Sequence, residues 1–386
     1  MKKSFSFLSL IIITIVFPSL LQSAQHESIF GEDVESIIAR AETGDAKAQM
    51  ELAQMYRFGV GVHLNTAAAF DWFQKAADQG EVQGQVYIGF MYLTGENGFE
   101  KNPAKAVEWF IKAAENGHLD AQSNLGRMYL TGDGVEKNPG AALFWYQKAA
   151  DRGYAPAQLG IGKAYAAGEN GFEKNPAKAE EWLMKAVERG YAPAQMEIGR
   201  LYATGENGFE KNPTKAEEWL IKAAGNGYLI AQVYLASMYA TGDGVPKDTE
   251  KAHDLLQKAA DLGNNLAQIE IGRIYATGDG VSRDVERANY WYQRVADTGD
   301  AYTIFFLAQM YDNGDGVEKN TTKAVELYQK AAEAGSFNAQ FTLALRYADG
   351  DGIEKDAQKA RFWLQKAAEQ GYSPAQQEIN RITSSK

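Results

Sequence analysis

A tyrosine recurs at Tyr56, Tyr92, Tyr129, Tyr165, Tyr202, Tyr239, Tyr275, Tyr311 and Tyr347, always 36 or 37 residues after the last. Such a period marks a stacked array, because one short supersecondary unit cannot bury its apolar face alone. Blocks open at Ala48, Gly84, Ala121, Ala157, Ala194, Ala231, Ala267, Thr303 and Ala339, and the ninth closes at Pro374. Three blocks carry one extra residue, reading GENGFEKNP where another reads GDGVEKNP, which marks this stretch as a loop.

Each block reads as two helices. The first carries apolar residues at helical spacing, as at Met50, Leu52, Met55 and Tyr56, and meets a glycine three residues after the tyrosine, from Gly59 to Gly350. The second begins at Asn65, Asn102, Asn138, Asn175, Asn212, Asp248, Asp284, Asn320 or Asp356, side chains that accept from the free N–H groups of a first turn. All seven tryptophans, Trp72, Trp109, Trp145, Trp182, Trp219, Trp291 and Trp363, share one position of this helix, with Leu255 and Leu327 in the other two blocks. That substitution pattern predicts packing rather than ligand stacking. Gly89, Gly126, Gly162, Gly199 and Gly272 share a mid-helix position with four alanines, which predicts close approach of hairpin partners. Residues 25–47 and 375–386 read as capping half units around the repeats at 48–374. The fold class is all-α, an α/α solenoid of stacked helix-turn-helix repeats.

Runs such as AQSNLGRMYLTGDGVEKNPGAALFWYQKAADRG at 121–153 resemble the Sel-one-like repeat family, relatives of the tetratricopeptide repeats. The resemblance implies a right-handed superhelix that serves as a protein-binding scaffold, often in exported bacterial proteins acting at the envelope or on a host. Block eight departs most, with Thr303 and Ile304 in place of Ala-Gln and Phe305-Phe306 following.

Composition narrows the chemistry. The 386 residues include no cysteine, which excludes disulfides, thiolate catalysis and Cys-ligated metals. A formal charge of −11 argues against nucleic-acid binding, which needs a basic face. Lys2 and Lys3, the apolar run Phe5–Phe17 and the small residues to Ala24 have the shape of a signal peptide at 1–24, cleaved near Ser23 or Ala24. The run is short for a spanning helix, although an uncleaved anchor is the alternative. Its removal takes the charge from −11 to −13 and predicts an exported protein, periplasmic or secreted, with no integral membrane segment.

No catalytic constellation emerges. Some cysteine-rich relatives are associated with β-lactams, but no serine here is followed three residues later by lysine. His26, His63, His118 and His253 lie in different units and read as surface or loop residues, and the acidic loops at Asp312 and Asp349 lack a calcium-loop ligand pattern. The expectation is a non-enzymatic adaptor with no cofactor and no metal. A cell-wall or β-lactam hydrolase and a peptidoglycan-binding protein are the alternatives.

In an array, positions that vary between units are where a partner is read. On the first helix these are the fourth, seventh and eleventh residues of each block, which share one face. The candidate partner-binding residues are Tyr87, Phe90, Asn124, Arg127, Lys163, Arg200, Tyr234, Arg273 and Phe306. Arg127, Lys163 and Arg200 fill one slot in three successive units, a basic line in an acidic protein. By analogy with tetratricopeptide arrays this face is concave, and it suits a protein or peptide segment carrying acidic groups and an apolar anchor. The competing reading is of exposed i,i+3 pairs, Glu197 with Arg200 and Glu270 with Arg273, though Arg127 and Lys163 have no such neighbour on their own helices.

Overall fold

Short-range capping chemistry delimits the helices of this chain. In the computed structural model, which describes residues 34–384 apart from 169, 170 and 316, the Asn or Asp opening each second helix accepts from a backbone N–H two or three residues on, as Asn175 does from Lys178 at 2.9 Å. The same residue's own N–H donates to the carbonyl of the recurrent tyrosine at 2.7–2.9 Å in all nine repeats, Asn65 to Tyr56 through Asp356 to Tyr347. Each first helix ends on a left-handed glycine, such as Gly59 at φ 68°, a conformation glycine adopts without steric cost. The signal-peptide reading, residues 25–33 and His26 lie outside the described residues.

The helices fall into two compact units. The first holds α1 (Val34–Glu42), α2 (Ala46–Phe58), α3 (Thr66–Asp78), α4 (Val82–Thr94), α5 (Pro103–Glu115), α6 (Leu119–Thr131), α7 (Pro139–Ala150), α8 (Ala155–Ala167), α9 (Pro176–Val187), α10 (Ala192–Thr204) and α11 (Pro213–Gly225). The second holds α12 (Leu229–Thr241), α13 (Thr249–Asp261), α14 (Asn265–Thr277), α15 (Val285–Asp297), α16 (Ala301–Asn313), α17 (Thr321–Glu333), α18 (Phe337–Asp349), α19 (Ala357–Glu369) and α20 (Ser373–Ser384). The described residues hold twenty α-helices, two short 3₁₀ helices at Glu96–Gly98 and Glu206–Gly208, and no strand. α1 packs on α2, and α20 packs on α19.

Within each hairpin the core slot is an aliphatic residue of the first helix, Leu52 through Leu343, at 0–2% exposure in every repeat. Burying such a side chain stabilises by about 1.5–3 kcal/mol. The small mid-helix residue does what its size predicts: a Cβ on Gly89 would lie 2.7 Å from Phe110, and one on Gly162 would lie 2.8 Å from Leu183. The tryptophans are mostly half-buried rather than sealed in the core, packing on the side of a neighbouring cluster with one face left over. A lysine one turn on covers that face, Lys75 over Trp72 at 3.7 Å and Lys112 over Trp109 at 3.9 Å.

Two further packing features were not foreseen. A buried glutamine in the first turn of most first helices donates to a carbonyl in the last turn of the preceding second helix, as Gln122 does to Ala114 at 3.0 Å. The extra loop residue of the longer repeats comes with a phenylalanine that packs on the recurrent tyrosine, Phe99 on Tyr92 and Phe172 on Tyr165.

Block eight is the place where the junction chemistry breaks. Nine of the ten second-to-first connections close with a backbone bond from the N-cap residue of the first helix to a carbonyl five residues back, as His118 to Ala113. At the α15–α16 connection the Thr298 hydroxyl takes the Val295 carbonyl, the Asp300 N–H turns to Thr298, and Ile304 stands where the glutamine would be.

Candidate interaction face

Within the first unit α6 touches α8 and α8 touches α10, and across the second of these contacts Lys163 reaches Glu197. Six of the nine candidate residues belong to this unit, and Tyr234, Arg273 and Phe306 belong to the second.

Tyr87 is not offered to a partner. It is 5% exposed, its ring stacks on Phe73 at 4.8 Å, and the Arg57 guanidinium lies 5.3 Å from it. Arg57 is itself 3% exposed and holds both oxygens of Glu96 in the next repeat's loop, at 2.5 and 2.9 Å. Phe90 is half-buried, edge-on to Phe110 at 5.2 Å. Asn124 is half-buried and donates to the Asp120 carbonyl at 2.9 Å.

The basic line is present, but its three members are held differently. Arg200 is clamped, with Glu197 and Glu206 each at 2.8 Å. Arg127 and Lys163 have no i,i+3 partner on their own helices, as expected, but each meets a carboxylate further off: Asp133 lies in the following loop at 3.7 Å and Glu197 on the next first helix at 3.8 Å. Both contacts sit at the outer limit of an ion pair, and Lys163 remains 58% exposed. Surface pairs of this kind contribute about 0–1 kcal/mol. In the second unit Arg273 bonds Glu270 at 2.7 Å, Tyr234 is half-buried, and Phe306 is 42% exposed.

Tyr146 belongs to this face, although it comes from the second helix α7. It fills the slot after the tryptophan, where neighbouring repeats carry Phe110 and Leu183. A Cβ on Gly126 would lie 2.6 Å from its ring, and one on Gly160, the variable fourth position of the next repeat, would lie 2.5 Å from Cε1 and 3.0 Å from the hydroxyl. The signal was legible as a tyrosine at a core slot opposite two glycines. Burial pushes its hydroxyl up to about 12, with Arg127 opposing.

His118 lies in the connection before α6, as the surface-or-loop expectation has it, and is half-buried there. Its Nε2 lies 3.1 Å from Gln83 Oε1 and its Nδ1 3.9 Å from Asp120, which also accepts from the Tyr154 hydroxyl. These contacts join the first turns of successive first helices. Among the described residues no three His, Cys, Asp or Glu side chains converge as a metal site would require, and no helix is long and apolar enough to cross a membrane.

Stacked helical hairpins with a uniform core and a variable face define a helical-repeat solenoid. The Sel1 repeat profile matches residues 46–81, 82–118, 119–154, 155–191, 192–228, 229–264, 265–300, 301–336 and 338–372, and the chain belongs to this family. Proteins of the family are in general non-enzymatic scaffolds for protein–protein interaction. The chain is similar to c5321, a protective antigen of uropathogenic Escherichia coli strains displaying an SLR fold, at 33% identity over 91% of this chain and 82% of that one, with a TM-score of 0.52. It is also similar to a Sel1 repeat protein from Oxalobacter formigenes, at 31% identity over 82% of this chain and 92% of that one, with a TM-score of 0.51. No curated protein matches the chain.

Proposed function

We propose that the protein is an exported scaffold whose first-helix face binds a segment of another protein, with α1 and α20 acting as end caps. The observation that carries this reading is the pair Arg127 and Lys163, adjacent on one face and loosely held at 3.7 and 3.8 Å in a chain of net negative charge. Cations held so weakly exchange a surface contact for an acidic partner at little cost. Export rests on the leader shape of residues 1–24, and the similarity to a protective antigen supports a role at the envelope or toward a host. A photo-cross-linker at the exposed position 167, one turn on from Lys163, in the full chain expressed in its native cells, should trap a protein partner. Arg127→Glu with Lys163→Glu and Arg200→Glu should abolish that adduct while helix content is retained. An unchanged adduct overturns the face, and an intact N-terminus in mass spectrometry of the mature protein overturns the cleaved leader.

A further inference from the structure

The interior of the array contains three tyrosines at the slot that follows the tryptophan, Tyr146, Tyr292 and Tyr328. Their hydroxyls have different fates. That of Tyr328 bonds Asp312 at 3.3 Å. That of Tyr292 is sealed from water without a partner, and the residue at the fourth position of the following repeat is Phe306. That of Tyr146 also lacks a hydrogen-bond partner among the described residues, yet it is not sealed, and the following fourth position is Gly160.

We infer that Tyr146, Arg127 and Lys163 form a recognition pocket for a carboxylate, with the tyrosine hydroxyl as its floor and the two cations as its walls. The inference deepens the reading of the first-helix face as the partner-binding surface and rests on it. Tyr146 is 5% exposed, and its hydroxyl packs 3.0 Å from where a Cβ on Gly160 would stand, so no side chain at that position covers it. Gly160 and Lys163 are three apart on α8, and Asn124 and Arg127 are three apart on α6, so both helices turn these residues toward the same seam. Glu197, the contact of Lys163, is already met by Arg200 a full ångström closer. A hydroxyl donor between an arginine and a lysine matches the acceptor-only chemistry of a carboxylate, and hydrogen bonds to a charged acceptor are the stronger kind.

The source of the carboxylate is an acidic side chain or a chain terminus, and the test separates them. The full chain carrying ¹³C-labelled tyrosine is titrated with three short acetylated peptides: one with an internal glutamate and an amidated end, one with glutamine there and a free C-terminus, and one with glutamine and an amidated end. The Tyr146 resonance is assigned by its loss in Tyr146→Phe, a change that keeps the ring and resembles Phe110. A carboxylate peptide should move the Tyr146 resonance saturably, the neutral peptide should not, and whichever of the first two binds better identifies the source. Arg127→Gln with Lys163→Gln, followed by the same resonance, should weaken binding about tenfold. Tyr146→Phe, followed by peptide signal broadening, should weaken it severalfold without lowering the thermal midpoint. A Tyr146 resonance unmoved by both carboxylate peptides, or moved equally by the neutral one, overturns the pocket. If the charge reversals still abolish the cross-linked adduct, the face survives that failure. If Tyr146 responds while the adduct is unaffected, the pocket stands and the scaffold reading falls.

Discussion

Arg57 donates from Nε and Nη2 to the two carboxylate oxygens of Glu96, bridging the first and second repeats with a pair that is 3% and 13% exposed. Removing one member of such a pair strands the other in a poorly hydrated site. Glu96→Ala should therefore cost about 3 kcal/mol, whereas Arg57→Met with Glu96→Leu should recover most of it. Urea unfolding of the parent and the two variants checks the order, and equal midpoints for the single and double changes would contradict it.

Alkaline stability should depend on Tyr146. Burial raises its hydroxyl from the ordinary 10 to about 12, so the folded chain binds that proton more tightly than the unfolded chain does. The stability this confers is fully present below pH 10 and is lost as pH rises through 12. Tyr146→Phe should lose less stability than the parent between those limits, as followed by helical circular dichroism.

Acid stability has the opposite sign at Asp248. The backbone N–H of Lys251, which its carboxylate caps, holds this group below its ordinary 3.8. Its contribution is present above that value and fades as pH falls through the lower folded one. Asp248→Asn keeps a capping oxygen and should flatten the dependence of the thermal midpoint on pH below about 4.

The α15–α16 connection should open first within the second unit. It lacks the backbone bond that closes the other connections and the glutamine clamp of most repeats. Hydrogen exchange should show the residues around Thr298–Asp300 exchanging faster than those around Gly335–Ser336. Ile304→Gln, placed to donate to the Ala296 carbonyl, should slow them, and exchange unaffected by that change would show that the break lies elsewhere.

Much of this molecule was legible because repetition writes each rule nine times. The Asn and Asp caps, the terminal glycines and the close approach at Gly89 and Gly162 are short-range chemistry, and the structure bears them out. The surroundings of the candidate residues were harder to read. Variation between repeats suggested that Tyr87 was exposed, but variation also occurs where a neighbour compensates, and Arg57 and Phe73 enclose its ring. Arg127 and Lys163 looked unpaired because their carboxylates lie in a loop six residues on and in a helix thirty-four residues on, distances that helix periodicity does not report. Tyr146 was overlooked because it belongs to the second helix, and only the glycine at 160 lets it reach the first-helix face.

The bond from Asn102 to the Tyr92 carbonyl, at 2.7 Å, has the same form as that from Asn138 to Tyr129, at 2.9 Å, although the first loop is one residue longer. The spacing of the array is thus set by a clasp at the neck of each loop, and the chain between the ends of the clasp is free to change length. A foreign peptide inserted between Gly95 and Phe99 should project from the edge of the stack and leave the helices in register, so each neck doubles as a grafting point at which new recognition can be added without rebuilding the scaffold.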